Sequence, residues 1–380
     1  MLSRYIKPIV YISTLSYMCA FSVLFTGCSG KHNSSAQGEA GKTLSTLEIK
    51  LNPKYYDQIC KDDSKIDYVI LNEGEDNMFV DLDKLLIAEG NYYILDRYSS
   101  RSVLSFSSKG EPLHKFGNIG NGPGEYMFPQ DMDVDSTGVY VLDTNTRKVI
   151  RYSHDGTYSA EHKIPFNADA FKRLSNGNFL FNLSPDGVNT SALAITDSLM
   201  QPIKYFSAYA KEYLGGCATN NVLRSVPDGI LYYRSPADTI LHLSNNGEIL
   251  GNYVLDFKDK AIPEIAKTDF VTFCSSGVGD RKDYLRLVDS PIPAGDNIWI
   301  GQLEDNGSQY SMIFNTNTND CGTSKFSKES SVFDFIEPLT ATADGAVVSL
   351  MVEELAEMCS DYAALPDSNN EGMALRLLKF

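Results

Sequence analysis

The sequence predicts an all-β fold: a β-propeller of six four-stranded antiparallel blades, its ring closed by pairing N- and C-terminal strands, with small helical insertions. Three observations carry this. A strand–turn–strand unit recurs at a spacing in the forties, weaker copies continue it along the chain, and the last unit is one strand short.

The two clearest copies lie side by side. The first reads Tyr92-Tyr93-Ile94-Leu95-Asp96-Arg97, then Arg101-Ser102-Val103-Leu104-Ser105-Phe106, then Lys109-Gly110. The second reads Val139-Tyr140-Val141-Leu142-Asp143, then Arg147-Lys148-Val149-Ile150-Arg151-Tyr152, then Asp155-Gly156. Asp96 and Asp143 are 47 residues apart, and Gly110 and Gly156 are 46 apart. Short β-rich runs broken by Asp, Asn, Ser and Gly read as strands joined by turns.

Further copies fade but keep the pattern. Ile230 to Arg234 with Ile240 to Leu243 and Asn246-Gly247 is one; Asn178 to Phe181 with Ala192 to Thr196 fills the interval before it. Ile298 to Ile300 with Ser311 to Phe314 gives a fifth, and Ala346 to Leu350 with Ala374 to Leu378 a sixth. An unpaired edge invites aggregation, so the ring must close. Asp67 to Leu71 is the strand expected to complete the last blade, while Leu47 to Leu51 reads as an extra outer strand or as lead-in.

Three stretches break the strand pattern. Met351, Leu355, Met358 and Tyr362 recur at helical spacing between acidic residues, which predicts an amphipathic helix. Segments 258–283 and 206–221 are long, mixed in composition and expected to be part helical. Strand parity places 118–128, 206–221, 258–283 and the 351–371 insertion on one face of the disk. Long connections on a rigid scaffold are where binding concentrates, so this face is the functional candidate.

The N-terminus reads as a leader over 1–27. Arg4 and Lys7 precede a mostly apolar run from Ile9 to Phe25, and Phe25-Thr26-Gly27-Cys28 ends it. Small residues before a cysteine are the mark of a bacterial lipoprotein signal, with Cys28 as the lipidated residue. Phe25 departs from the usual leucine, and an ordinary secretory peptide or N-terminal anchor is the alternative. Residues 28–44 then form a flexible tether and 45–380 the propeller. No later run is long and apolar enough to span a bilayer, so the membrane is met through the lipid only. Ser29 gives no acidic retention signal, which favours the outer membrane.

The whole chain carries 33 Lys+Arg against 49 Asp+Glu, a net of −16. Removing the leader, with its two cations, makes the balance more acidic still. Such a surface argues against nucleic acid and anionic lipid as partners. Of seven cysteines, Cys60, Cys217, Cys274, Cys321 and Cys359 remain in the folded part, odd in number and without C-x-x-C. Isolated thiols are the expectation, with one or two bridges as the alternative.

Gly117 to Tyr126 is the most distinctive string, yet it lacks the Gly-Lys-Ser/Thr of a P-loop and the spacing of a dinucleotide fingerprint. It reads as a loop needing several positive φ angles, with Glu125 and Tyr126 as candidate ligand contacts. The lipoprotein start, the string from Gly120 to Tyr126 and the Leu-Asp…Arg…Gly blades together resemble the six-bladed β-propeller lipoproteins of unknown function, which are similar in turn to NHL-repeat propellers. That resemblance covers most of the mature chain, most strongly 66–160. It implies a six-bladed ring in the cell envelope and no established activity, so no catalytic residue is carried over.

Asp96 with Arg101, and Asp143 with Arg147, hold equivalent places. Each Asp suits the hydrogen bonding of turn amides, and each Arg suits pairing with it, stacking on the next blade or a charged rim; Arg97, which the repeat does not require, is the stronger ligand candidate. No cofactor is expected. Asp131, Asp133 and Asp135 suggest calcium, but an EF-hand loop needs Gly and Glu where Ser136 and Leu142 stand. The five histidines show no zinc spacing, and no G-x-S-x-G elbow is present.

The expected function is therefore non-catalytic: a lipid-anchored envelope protein presenting Arg97, Arg101, Glu125, Tyr126 and Arg147 to a carbohydrate, peptide or envelope protein. Tyr126, Tyr205, Tyr209, Tyr213 and Trp299 are the candidate stacking residues. The alternative is a metal-dependent hydrolase, lactonase or lyase working at the central channel, which requires Glu, Asp, Asn or His to converge at its mouth.

Overall fold

The computed structural model describes residues 42–60, 66–72, 74, 77–185, 190–208, 221–267, 284–295, 297–305, 308–325, 338–342, 345–351 and 372–379. The first elements are strand β1 (Thr43–Glu48), helix α1 (Pro53–Cys60) and strand β2 (Ile66–Asn72). Three sheets follow in sequence. The first is β3 (Lys84–Ala88), β4 (Asn91–Asp96), β5 (Ser102–Phe106) and β6 (Pro112–Lys115). The second is β7 (Pro129–Asp135), β8 (Gly138–Asp143), β9 (Lys148–Tyr152) and β10 (Tyr158–Lys163). The third is β11 (Ala168–Arg173), β12 (Phe179–Leu183), β13 (Ser191–Thr196) and β14 (Pro202–Ala208).

The fourth sheet is β15 (Leu223–Val226), β16 (Gly229–Tyr232), β17 (Thr239–Leu243) and β18 (Ile249–Asp256), and the short helix α2 (Glu264–Lys267) follows it. In the fifth, β19 (Arg286–Leu287) and β20 (Ile292–Ala294) share the first-strand position against β21 (Ile298–Glu304), with β22 (Gln309–Asn315) and β23 (Cys321–Lys325) outside. The last holds β24 (Pro338–Thr342), β25 (Gly345–Met351) and β26 (Gly372–Lys379). Its fourth place is taken by β2, antiparallel to β26 from Ile66 opposite Leu378 to Asn72 opposite Gly372. The strand expected to close the last unit does so.

The chain is an all-β β-propeller. Innermost strands touch in the cyclic order β3, β7, β11, β15, β20, β24 and back to β3. The apolar core is divided accordingly. Each of five buried clusters among the described residues lies between two neighbouring sheets, as radial packing requires. Tyr93, Leu95 and Val103 of the first sheet meet Met132, Val141 and Ile150 of the second. Tyr140 and Val149 of the second meet Phe171, Phe179 and Phe181 of the third. Alternation along β7 explains how one strand serves two interfaces: Met132 packs against the first sheet, Asp133 bonds the third, and Asp131 accepts from both the first and the third.

Turn chemistry accounts for the repeat's glycines. Between third and fourth strands, Gly110, Gly156 and Gly247 each donate an N–H to a serine carbonyl three residues back, with φ between 82° and 85°. Met200 takes the same position in the third sheet at φ 64°, which is why that copy is hard to see in the sequence.

The N-terminal segment wraps the outside. β1 adds to β18 in parallel as a fifth strand, so the segment read as outer strand or lead-in is an outer strand, displaced to start at Thr43. Asn52 then caps α1, accepting from Tyr55 N–H at 3.3 Å, with Pro53 in the first helical turn. The Asn52 carbonyl accepts from Thr323 N–H at 3.2 Å, docking the helix on β23. The edges of the fourth and fifth sheets are thus covered.

Of the long connections, 209–220, 268–283 and 352–371 lie outside the described residues, and with them the helix expected from Met351 to Tyr362. Helical character expected in 258–283 is present as a 3₁₀ turn at Lys258–Lys260 and as α2. Cys321 is buried with a free thiol, which burial pushes up to about 11; Cys217, Cys274 and Cys359 lie outside the described residues.

Candidate functional site

First strands begin on the face where sheets are joined, and second strands end there. Connections on the opposite face, among the described strands, run only two to five residues. Everything longer leaves from the first face.

On that face the repeat's aspartates are clamps. Asp96, fully buried, accepts from the N–H groups of Val80 (2.8 Å), Asp81 (3.2 Å), Ser99 (2.9 Å) and Ser100 (3.1 Å). Burial raises its pKa, but these four donors outweigh burial and hold the carboxyl below the usual 3.8. Asp143 does the same for Met127 (2.9 Å), Phe128 (3.2 Å), Asn145 (3.0 Å) and the Thr146 hydroxyl (2.7 Å). Each clamp ties the turn after its own strand to the segment leading into the first strand of the same sheet. Arg101 and Arg147 follow at φ 49° and 51°, exposed, and among the described residues neither forms an ion pair. The turn-amide reading of the aspartates holds, whereas the pairing read for the arginines is not made.

What the clamps present is apolar. Val80 and Tyr98 are each 60% exposed, and the Tyr98 ring lies 5.8 Å from that of Phe128. Met78 and Ile119 are exposed in the same set of connections. Arg97 is not on the surface: it is 2% exposed, its guanidinium carbon 5.6 Å from the Tyr98 ring centroid. Its N–H donates to Asp83 at 2.6 Å, yet burial dominates there and raises the Asp83 carboxyl pKa.

Glu125 and Tyr126 are committed to the glycine-rich loop. The Glu125 carboxylate accepts from Gly122 N–H at 2.7 Å, and a Cβ at Gly120 would stand 2.1 Å from that carboxylate. Gly117 and Gly124 need their positive φ of 70° and 74°; Gly120 and Gly122 make room for Glu125 instead. Tyr126 is fully buried among Tyr93, Phe116 and Tyr152, and burial raises its phenol pKa. Arg101 and Arg147 follow the clamps on the long-connection face, whereas the glycine-rich loop carries Gly124 and Glu125 down beside Tyr158 at the short-turn end of β10, so the five predicted site residues do not form a cluster. Of the stacking candidates, Trp299 is core and Tyr205 sits half-exposed on β14, while Tyr209 and Tyr213 lie outside the described residues.

Near the axis, charges bridge neighbouring sheets. Lys84 of β3 donates to Asp131 of β7 at 2.7 Å, and Asp131 also accepts from Phe171 N–H of β11 at 2.9 Å. Lys172 pairs with Asp133, which accepts from Arg173 N–H at 2.7 Å. Arg173 Nε lies 3.6 Å from Asp135. The alternating aspartates that suggested calcium are thus matched to cations of the adjoining sheets. Burial lowers the Lys84 pKa, with Asp131 opposing. Arg234 continues the series between the fourth and third sheets, donating to Asn182 and to the Leu183 carbonyl, each at 3.3 Å. Arg224 donates to the carbonyls of Ser290 and Leu339, spanning the fourth, fifth and sixth sheets; burial depresses its pKa to about 10. Among the described residues no three His, Cys, Asp or Glu side chains are grouped as a metal site.

This architecture matches known proteins at the level of family and fold. A model for a domain of unknown function, DUF4934, matches residues 51–378. The chain belongs to that family. A "Putative exported protein" from Bacteroides fragilis has a similar structure at 18% identity and TM-score 0.68, covering 88% of this chain and all of its own. A member of the DUF4221 family from Bacteroides vulgatus is similar at 10% identity and TM-score 0.50, covering 83% of this chain and 98% of its own. At these identities the likeness shows the fold. No curated protein matches this DUF4934 chain in sequence. No helix among its described residues is long and apolar enough to cross a membrane.

Val80, Tyr98 and Phe128 escaped sequence reading, because nothing local marks them. The usable signal is the repeat: Val80 stands 16 residues before Asp96, as Met127 does before Asp143.

Proposed function

We propose that this DUF4934 protein is a lipid-anchored, six-bladed propeller of the cell envelope that binds a carbohydrate, peptide or envelope protein on its long-connection face, without catalysing a reaction. The observation that carries this reading is the exposed Val80 and Tyr98, with the half-buried Phe128 ring against Tyr98, held by the two aspartate clamps. Exposed aromatic and apolar groups on a pinned backbone suit recognition at low entropic cost. Arg97, Glu125 and Tyr126 act in it as supports, through Tyr98 and the glycine-rich loop.

The described chain enters the fold away from the long-connection face. β1 runs parallel to β18, a fourth strand that starts at the short-turn face, so Thr43 enters there. Cys28 precedes Thr43 by 15 residues, a reach of at most about 50 Å when extended.

Two measurements test the reading. Cells expressing the chain incorporate labelled fatty acid into it, and Cys28→Ala abolishes the label; unchanged labelling would refute the anchor. Immobilised mature protein retains a component from fractionated envelope polysaccharides and peptides, and Tyr98→Ser with Phe128→Ser weakens retention at least tenfold without changing the melting temperature. Retention indifferent to both substitutions would refute the face.

A further inference from the structure

A recess of about 100 Å³ opens between the second and third sheets toward the short-turn face. Tyr140, Arg151, His162, Arg173, Phe179 and Ser198 line it. We infer that it is a second binding site, independent of the long-connection face, and that its ligand is the carboxylate end of a small organic or sugar acid.

The argument starts from charge. Two guanidinium groups gather on one ring: the Arg151 and Arg173 carbons lie 5.9 and 5.5 Å from the Tyr140 centroid, and Arg173 lies 4.6 Å from that of Phe179. One carboxylate, Asp135, forms an ion pair with Arg173 at 3.6 Å from its Nε, so two cations stand against a single anion. In a chain of net charge −16 this is a locally cationic hollow.

Hydrogen bonding points the same way. The Nε atoms of both arginines are buried; that of Arg151 has no hydrogen-bond partner among the described residues, and that of Arg173 has the Asp135 carboxylate at 3.6 Å. Arg151 spends one N–H on the Thr137 carbonyl at 2.7 Å, and Arg173 makes a long contact of 3.4 Å to the Asn178 carbonyl. The terminal N–H groups of a guanidinium are matched by planar, bidentate anions, above all carboxylates. Tyr140 and Phe179, 4% and 3% exposed, fix the cations from below through their rings, so the site is held in place before any ligand arrives.

The repeat shows that packing does not demand this arrangement. Arg151 stands opposite Tyr140 on β9, as Ser105 stands opposite Tyr93 on β5. With serine there, the equivalent space between the first and second sheets is closed by His154 and Phe116 against Tyr93. Size sets the rest: the hollow takes a carboxylate with a few attached atoms, and its open mouth lets a longer molecule project.

The test is calorimetric titration of the mature chain, at constant ionic strength, with sodium glucuronate and sodium propionate, against glucose and propanol as neutral counterparts. Both acids bind and both neutral compounds do not. Arg151→Gln and Arg173→Gln each weaken acid binding at least tenfold. Should either variant fold poorly, Ser198→Trp, on an exposed turn, obstructs the mouth and reduces binding likewise. Binding of glucuronate without propionate identifies a sugar acid as the ligand; propionate alone identifies a simple organic acid. Acid binding that survives Ser198→Trp and both arginine changes, glucose binding equal to glucuronate, or no binding of either acid overturns the inference.

Discussion

Two interfaces built from equivalent residues end differently. Between the first and second sheets, Tyr93 faces Ser105 and bonds His154 Nδ1 through its hydroxyl at 2.9 Å. Phe116 and Tyr152 stack in edge contact behind it. Between the second and third sheets, Tyr140 faces Arg151, its hydroxyl bonds Thr137 at 2.6 Å, and two guanidinium groups take the place of the rings. Near the axis the two interfaces are alike, each crossed by a buried lysine–aspartate pair. The inner half of a blade is thus set by the fold, while the outer half has been varied.

The harshest way to break this comparison is to exchange the outer residues. Ser105 is 2% exposed, so Ser105→Arg forces a long cation into a space filled by rings, and a loss of about 4 kcal/mol or failure to fold is expected. Urea unfolding measures it; a well-folded variant within 1 kcal/mol of the parent, on the same order-of-magnitude scale, would mean that the first interface holds slack the structure does not show.

Next come the axial pairs, where the interfaces should behave alike. Lys84→Met leaves Asp131 buried without its cation, and Lys172→Met does the same to Asp133. Each is expected to cost about 3–5 kcal/mol, and Lys84→Met with Asp131→Leu to recover part of that, since replacing both partners removes the stranded charge but leaves the Phe171 N–H without its acceptor. Unequal losses, or no recovery in the double variant, would show that the pairs are not the common inner element.

These contrasts also explain how far the sequence could be read. The two strong copies exposed the period because Asp96, Asp143, Gly110 and Gly156 answer local backbone needs that any residue reader can recognise. The third sheet hid because Met200 replaced the turn glycine. Closure by β2 was legible from a missing strand. The candidate surfaces were not: Tyr98 meets Phe128 across 30 positions, and Arg151 meets Arg173 across two sheets, so only the assembled fold brings them together. Even so, the aligned copies did contain one clue, an arginine at 151 where its counterpart is Ser105.

A smaller effect concerns the clamps above both interfaces. Asp96→Ala strands four backbone donors, and a loss of about 2–4 kcal/mol is expected, with a similar loss for Asp143→Ala. Asp96 also carries a pH signature. Its folded pKa is depressed below 3.8, so the unfolded chain takes up the proton first. Its contribution is complete above that value and fades as pH falls through the lower, folded one. Unfolding free energies measured from pH 6 to pH 3 should therefore drop more steeply for the parent than for Asp96→Asn. Parallel curves would place the acid sensitivity elsewhere.

The mildest change is the reverse exchange, and it sharpens the comparison most. Arg151→Ser gives the second sheet the residue that its neighbour carries. It forfeits a hydrogen bond to the Thr137 carbonyl and a stacked cation above Tyr140, together about 1 kcal/mol, but it also removes a buried Nε that lacks a partner. The two effects oppose, so a net loss below about 1 kcal/mol is expected, against about 4 for Ser105→Arg. That asymmetry is the physical content of the difference: a groove closed by rings has no room to gain an arginine, whereas a groove open to solvent can lose one cheaply. If Arg151→Ser destabilised the chain as much as its mirror change, Arg151 would be packing rather than lining, and the outer halves of the two interfaces would differ in shape but not in purpose.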